Sequence, residues 1–419
     1  MNLIRKRFSA SLVCMATIWT AHAQTDGERI EQLERQVEAL SMSLEQRELG
    51  SLFPEITESE YGFGPGASKV YNAEPGSLSI GGYGEIRYKN KEEGSDEFDA
   101  LRGVIYMGYK YTDQWVFNSE IEFEHGSTSK EGSASLEFAT IDYLASDVLN
   151  ARAGLLLVPM GLVNKLHEPT TFLSTQRPET EKRIIPSTWR ENGAGIFGDL
   201  GGGLSYEAYI VNGLKGEDFD DSGFRGGRQK GSEAVADNMG YVARIDWDGA
   251  TGLNLGGSAY TGDSGQDSGI ELDTTIVEAH ADYRFQGLHL RGLFAAATLD
   301  GAAELNALRA EAEEVDVSEI DSAGEDLVGW YAELGYDILN TVNSGEASLT
   351  PFVRYEEINT QDSVPEGGKI NGKRDRQITT IGVAFQPIDE LIFKLDYLMN
   401  DSAAGDLGNQ VNLGLGYVF

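Results

Sequence analysis

The residues best placed to do chemistry are the cations between Val158 and Arg190. This stretch carries Lys165, His167, Arg177, Lys182, Arg183 and Arg190 against Glu168, Glu179 and Glu181. Such a basic island stands out in a chain with 33 Lys+Arg, 68 Asp+Glu and a net charge of −35. Four of the chain's 10 prolines, Pro159, Pro169, Pro178 and Pro186, lie in the same stretch and stiffen it by fixing φ. Guanidinium and ammonium groups on a stiff loop attract and orient oxyanions; they do not by themselves break bonds.

Other reactive groupings are sparse. His125, His167, His280 and His289 are scattered without metal-ligand spacing. His280 could pair with a serine as an outer-membrane hydrolase, but no G-x-S-x-G elbow accompanies it. Asp218–Gly223 and Asp263–Gly269 resemble fragments of calcium loops without the closing Glu. The single cysteine, Cys14, lies in the N-terminal apolar stretch, so thiolate chemistry is absent from the rest of the chain. No cofactor and no metal is expected. The acidic surface, with a pI near 4.4, repels nucleic acid.

The elements that must hold the basic loop are strands. In Val411–Phe419, Val411, Leu413, Leu415, Tyr417 and Phe419 fall on one face, and Asn412, Gly414, Gly416 and Val418 on the other. The same period of two recurs from Leu78 onward and predicts about sixteen strands, with fourteen or eighteen as alternatives. Tight turns such as Thr112–Gln114 and Gln286–Gly287 alternate with long polar loops such as Asn212–Asn238, Thr298–Asp326 and Asn359–Arg374. Aromatic residues gather near the tight turns: Tyr109, Tyr111, Trp115, Trp247, Phe285, Phe385, Tyr417 and Phe419. Short turns at one rim, long loops at the other and an aromatic girdle describe a transmembrane antiparallel β-barrel of the Gram-negative outer membrane. Mean hydropathy is −0.31, as expected when only alternate side chains meet lipid. Pro351 inside a strand, and a change of face between Phe138 and Ile141, both predict bulges or shifted strand ends.

Upstream, residues 1–23 read as an export signal: Arg5, Lys6 and Arg7, an apolar run, then Ala21-His22-Ala23. Residues 24–49 carry Ile30, Leu33, Val37, Leu40 and Leu44 at steps of three and four. That seam predicts a short periplasmic coiled coil, with a homotrimer preferred; the alternative is one amphipathic helix against the barrel. Residues 50–76 read as a Pro- and Gly-rich linker, and 77–419 as the barrel, with 158–190 an in-folding constriction loop. Ala302–Val315 shows helical spacing inside an outer loop.

Three motifs carry a family resemblance: L-L-L-V-P-M-G-L-V-N-K-L-H-E-P from Leu155, R-P-E-T-E-K-R-I-I-P-S-T-W-R-E-N-G from Arg177, and S-I-G-G-Y-G-E-I-R-Y from Ser79. With the terminal Phe419, these resemble the phosphate-selective porin O and P group of outer-membrane porins. The resemblance implies a trimer of barrels, each with a water-filled pore narrowed by an inward loop. It also implies selectivity set by a ladder of lumen arginines. Arg87, Arg102, Arg152, Arg244, Arg291 and Arg354 have lumen parity and could form part of one. Glu85, Glu120, Glu122, Glu124, Asp246, Glu278 and Asp282 share that parity, so cross-strand ion pairs are the competing role for each arginine. The expected function is passive diffusion of small hydrophilic solutes or ions, with phosphate or small organic anions the candidate preference. The rivals are a periplasmic tether acting through the helix and the hydrolase above. Expected partners are outer-membrane lipid and lipopolysaccharide.

Overall fold

The computed structural model describes residues 59–126, 132–342 and 347–419, and Leu33, Arg35, Val37, Glu38 and Ser41 of a helix near the N-terminus. Two compact units are present, Met1–Gly50 and Ser51–Phe419. In the first, Leu33 and Val37 are helical and exposed. The export signal and the seam positions Ile30, Leu40 and Leu44 lie outside the described residues.

The second unit is a closed antiparallel barrel. Its strands are β1 Ser77–Lys91, β2 Glu97–Lys110, β3 Trp115–Glu124, β4 Ala134–Leu144, β5 Asn150–Leu157, β6 Arg190–Gly201, β7 Leu204–Asn212, β8 Met239–Ala250, β9 Leu253–Asp263, β10 Asp273–Phe285, β11 Leu288–Asp300, β12 Asp326–Tyr336, β13 Ser348–Ser363, β14 Asp375–Ile388, β15 Leu391–Ser402, the two-residue β16 Gly405–Asp406, and β17 Gln410–Val418. Sixteen long strands build the wall; β16 is a small ribbon on an outer loop. Each wall strand pairs with its sequence neighbours, and β1 pairs with β17 from Tyr83↔Val418 to Lys91↔Gln410. Closure leaves no unpaired strand edge, the condition for strands to cross a bilayer.

The two faces differ as period two demands. Along β17, Asn412 and Val418 are buried inside while Val411, Leu413, Tyr417 and Phe419 are exposed outside. Tyr241, Ile245, Trp330, Leu334, Ile381 and Leu395 continue an exposed apolar band around the wall. An apolar band of this extent has lipid as its partner. Tyr111, Trp115, Trp247, Phe285 and Phe385 lie exposed near the tight turns, completing the girdle.

The structure departs from the sequence expectation at four places. Residues 59–76, expected as linker, fold into a helical turn at Pro65–Ser68 and a 3-10 turn at Lys69–Asn72, with Phe63, Ala67, Val70 and Tyr71 buried. Several loops are shorter than expected because the strands continue through polar residues; Lys89 and Lys91 pair with Glu97 across the β1–β2 hairpin at 3.0 and 2.7 Å. The β4 bulge is at Glu137: Glu120 faces Phe138 and Ile121 faces Leu136, which turns both Glu137 and Phe138 inward. Pro351 needs no bulge, because the β12–β13 ladder ends at Gly335↔Phe352 and its missing N–H costs no bond there. The outer-loop helix is Ala302–Glu313.

Candidate functional site

The lumen owes its shape to residues 158–189. The base of this loop is closed by Asn164, whose Nδ2 donates to the carbonyls of Val158 (2.7 Å) and Trp189 (3.0 Å) and whose Oδ1 accepts from the Trp189 N–H (2.7 Å). Leu156, Val158, Met160, Ile184, Ile185 and Trp189 are fully buried, giving the loop its own apolar core. From there the chain is pinned to lumen-facing side chains around the wall. Glu181 accepts from Tyr331 on β12 at 2.6 Å; Thr175 N donates to Asp396 on β15 at 2.6 Å; Lys394 donates to the Ser174 carbonyl at 3.0 Å. Gly416 on β17 leaves the space filled by Pro169: a Cβ there would lie 2.4 Å from the proline Cβ.

Most of the sequence-selected cations are spent on this anchoring. Arg102 reaches Glu122 at 3.2 Å and Glu85 at 3.5 Å. Arg152 holds Asp142 through two bonds of 2.8 and 2.7 Å. Arg244 pairs with Asp246 and donates to the Gly161 carbonyl. Arg291 pairs with Asp282 and donates to the Thr171 carbonyl at 3.1 Å. Arg354 donates to Ser174 and to the Gln176 carbonyl, 3.7 Å from Glu333. Arg87 donates to the Thr175 carbonyl at 3.4 Å. Of the two roles open to these six, a lumen ladder or ion pairing, the contacts are those of the second: they tie wall to wall or wall to loop, because a buried guanidinium without a partner is costly.

Three of the loop cations are spent in the same way. Lys165 is paired with Glu207, Arg190 with Glu137 at 2.8 Å, and His167 sits between the Asn164 carbonyl (3.0 Å) and Glu120 (3.3 Å). Lys182 and Arg183 are half-buried and share Glu179, which also takes Arg376. Three surrounding cations hold the Glu179 carboxyl well below the usual carboxylate range, although burial opposes them.

Arg177 is different. Among the described residues it forms no ion pair, and its Nη2 is buried without a partner. Burial and then Arg102 lower its pKa. Two further cations, missed in the sequence, join it from the loop between β7 and β8. Arg225 donates to the Ser187 carbonyl; Arg228 donates to Ser187 O at 2.9 Å, Thr188 O at 3.0 Å and Thr188 Oγ1 at 2.8 Å. Neither has a carboxylate partner among the described residues. Burial, then Arg228, Arg177 and Arg183, push Arg225 down to about 9. Burial, then Arg190, push Arg228 down to about 10. Beyond burial, nearby arginines lower each of the three, while Glu85 and Glu122 near Arg177, Glu179 near Arg225, and Glu137 and Glu191 near Arg228 offset this without pairing directly. The available signal was R-G-G-R at 225–228, hidden in a loop that also holds four aspartates.

His280 is not arranged for hydrolysis. Its Nδ1 lies 2.8 Å from Glu278 and its Nε2 3.0 Å from Asp246, while Ser258 donates to Glu278. Among the described residues, no serine hydroxyl is held by the imidazole. The calcium-like fragments are likewise engaged in holding the loops: Asp221 binds Arg374 at 2.8 Å, and Asp263 accepts from Gly265 and Leu272 N–H groups.

No family model matches the chain. An uncharacterized protein of Aquifex aeolicus (strain VF5) is 36% identical over 359 residues, spanning 84% of this chain and 81% of that protein. The chain belongs to the family of that protein. Among solved structures, OmpF of Salmonella typhi in complex with daunomycin is similar with a TM-score of 0.55 and 12% identity, over 82% of this chain and 98% of that one. The anion-selective porin from Comamonas acidovorans gives 0.52 and 11%, over 82% and 99%. The outer-membrane channel DcaP of Acinetobacter baumannii gives 0.52 and 13%, over 82% and 98%. At these identities the likeness is one of fold.

Proposed function

We propose that this protein is a passive channel of the Gram-negative outer membrane that prefers small hydrophilic anions. The observation that carries the reading is the group Arg177, Arg225 and Arg228, left without carboxylate partners among the described residues, while Arg102, Arg152, Arg244, Arg291 and Arg354 on the strands are paired with carboxylates. A guanidinium group with free donors inside a barrel recognises carboxylate or phosphate oxygens and raises local anion concentration. The net charge of −35 describes the whole chain; the path through the lumen is set by the charges that remain unpaired there. The fold likeness to channels supports the reading. The further resemblance to phosphate-selective porins fits a site of this charge. A trimer joined through the seam of Leu33 and Val37 in the periplasm belongs to the same proposal.

Reversal potential in a planar bilayer under a salt gradient tests it. The native protein is expected to prefer anions, and Arg225→Glu with Arg228→Glu to shift the potential toward cations. A cation-preferring native channel overturns the reading. The tether alternative separates by deleting residues 24–58, which spares the segment packed in the barrel: a tether loses its function and a channel keeps its conductance.

A further inference from the structure

The loop 158–189 is fixed to the wall at both ends, but a second segment in the lumen is not. Residues 59–73 enter at the short-turn rim and join the wall only through Ser77 at the start of β1. At their other end the chain runs on, through residues 51–58, to the separate unit Met1–Gly50. We propose that this segment is a plug on the short-turn side, whose withdrawal switches the barrel from a low- to a high-conductance state. The inference rests on the channel reading above.

The contacts are those of a docked strap. Asn118 on β3 donates to the Ala67 carbonyl at 2.9 Å, and the Gly66 N–H donates to Glu168 on the loop at 3.0 Å. Tyr71 donates to Asp142 at 2.6 Å, and Arg152 donates to the Tyr61 carbonyl at 3.1 Å. The Arg152 guanidinium lies over Phe63 on the segment and Phe197 on the wall, 4.3 and 4.6 Å from the ring centres. The wall does not depend on the strap for its charge balance. With the segment gone, Arg152 keeps both bonds to Asp142 and Glu168 keeps the Tyr106 hydroxyl. Withdrawal therefore exposes no unpaired buried charge, the usual obstacle to moving a lumenal element. It costs the burial of a few apolar side chains, chiefly Phe63, Val70 and Tyr71.

A disulfide tests this in the full chain. A Cβ built on Gly108 of β2 lies 2.6 Å from the Val70 Cβ, so Val70→Cys with Gly108→Cys places two thiols within bonding reach after a small shift. The native chain's one cysteine, Cys14, belongs to the expected export signal. Single-channel conductance is read before and after reduction, with bond formation checked by mass. The plug predicts at least a twofold rise on reduction, and none for Val70→Cys alone. Asn118→Ala with Tyr71→Phe, which removes two of the strap's hydrogen bonds without a crosslink, predicts more time in the high-conductance state. Equal conductance in the oxidised and reduced forms, or native behaviour of the loosened variant, overturns the plug. Absence of conductance in every form overturns the channel reading itself.

Discussion

Tyr331 and Glu181 meet across the lumen: the phenol on β12 donates to one carboxylate oxygen at 2.6 Å, and the other oxygen accepts the Leu162 and Val163 N–H groups at 2.9 and 2.6 Å. One side chain thus fixes the loop's own turn and its attachment to the wall. Glu181→Ala leaves three buried donors without an acceptor and is expected to cost on the order of 3 kcal/mol. Tyr331→Phe removes one donor and is expected to cost about 1 kcal/mol. Urea unfolding in lipid vesicles measures both. Current traces should also become noisier in Glu181→Ala than in Tyr331→Phe. Equal stability of the two variants would remove the carboxylate from its central place.

Selectivity should divide the arginines into two groups. Among the described residues Arg177 has no paired counter-ion, whereas Arg291 is paired with Asp282. Arg177→Glu is expected to move the reversal potential toward cations. Arg291→Gln is expected to leave the potential almost unmoved and to lower stability by about 1–2 kcal/mol, since Asp282 loses one of its two arginine partners and keeps Arg284 at 3.0 Å. The same bilayer and unfolding measurements suffice. A shift from Arg291→Gln as large as that from Arg177→Glu would mean that paired wall charges also face the solute.

The wall was legible in the sequence because period two survives wherever one face must be apolar. Strand β17 shows it: Leu413 and Tyr417 outside, Asn412 and Val418 inside. It was less legible where the strands rise beyond the apolar band, as at Lys89–Lys91, since water on both faces imposes no alternation. The in-folding of the basic loop followed from its prolines and charge, but the partners of each cation did not. Arg152 and Arg177 have the same chemistry in sequence; only the bulges, glycine spaces and strand register decide that one meets Asp142 and the other meets no carboxylate. Residues 59–73 were misread because Pro and Gly signal a broken chain, which a lumenal strap also is.

Glu168 should impart a pH dependence of its own. Burial pushes its carboxyl up to about 7, the nearby Glu120 adds to this, and His167, the Gly66 N–H and the Tyr106 hydroxyl oppose it. The folded state therefore binds more protons than the unfolded state between pH 4.5 and about 7. Stability from this group falls as pH rises through that window, by about 3 kcal/mol in all. Glu168→Gln keeps an oxygen to accept from Gly66 and Tyr106 but has no proton to lose. The native protein minus the variant should show this fall between pH 5 and pH 8 in vesicle unfolding. Parallel profiles would place the titration elsewhere.

The two faces of β15 give the most direct test of lipid contact. Lys394 is buried over the Phe172 ring, 3.7 Å from its centre, while the next residue, Leu395, is exposed outside between Leu413 and Val383. Leu395→Arg places a cation among acyl chains and is expected to cost about 2–4 kcal/mol if the position lies near the bilayer centre. The same change on a soluble surface would fall within about 0.5 kcal/mol. The contrast also depends on the solvent. In detergent or vesicles the penalty should appear as a lower urea midpoint, and it should shrink for an outward site nearer the rim such as Tyr417→Arg. If Leu395→Arg were as stable as the native chain in vesicles, the exposed apolar band would not be facing hydrocarbon, and a channel through the membrane would lose its physical basis.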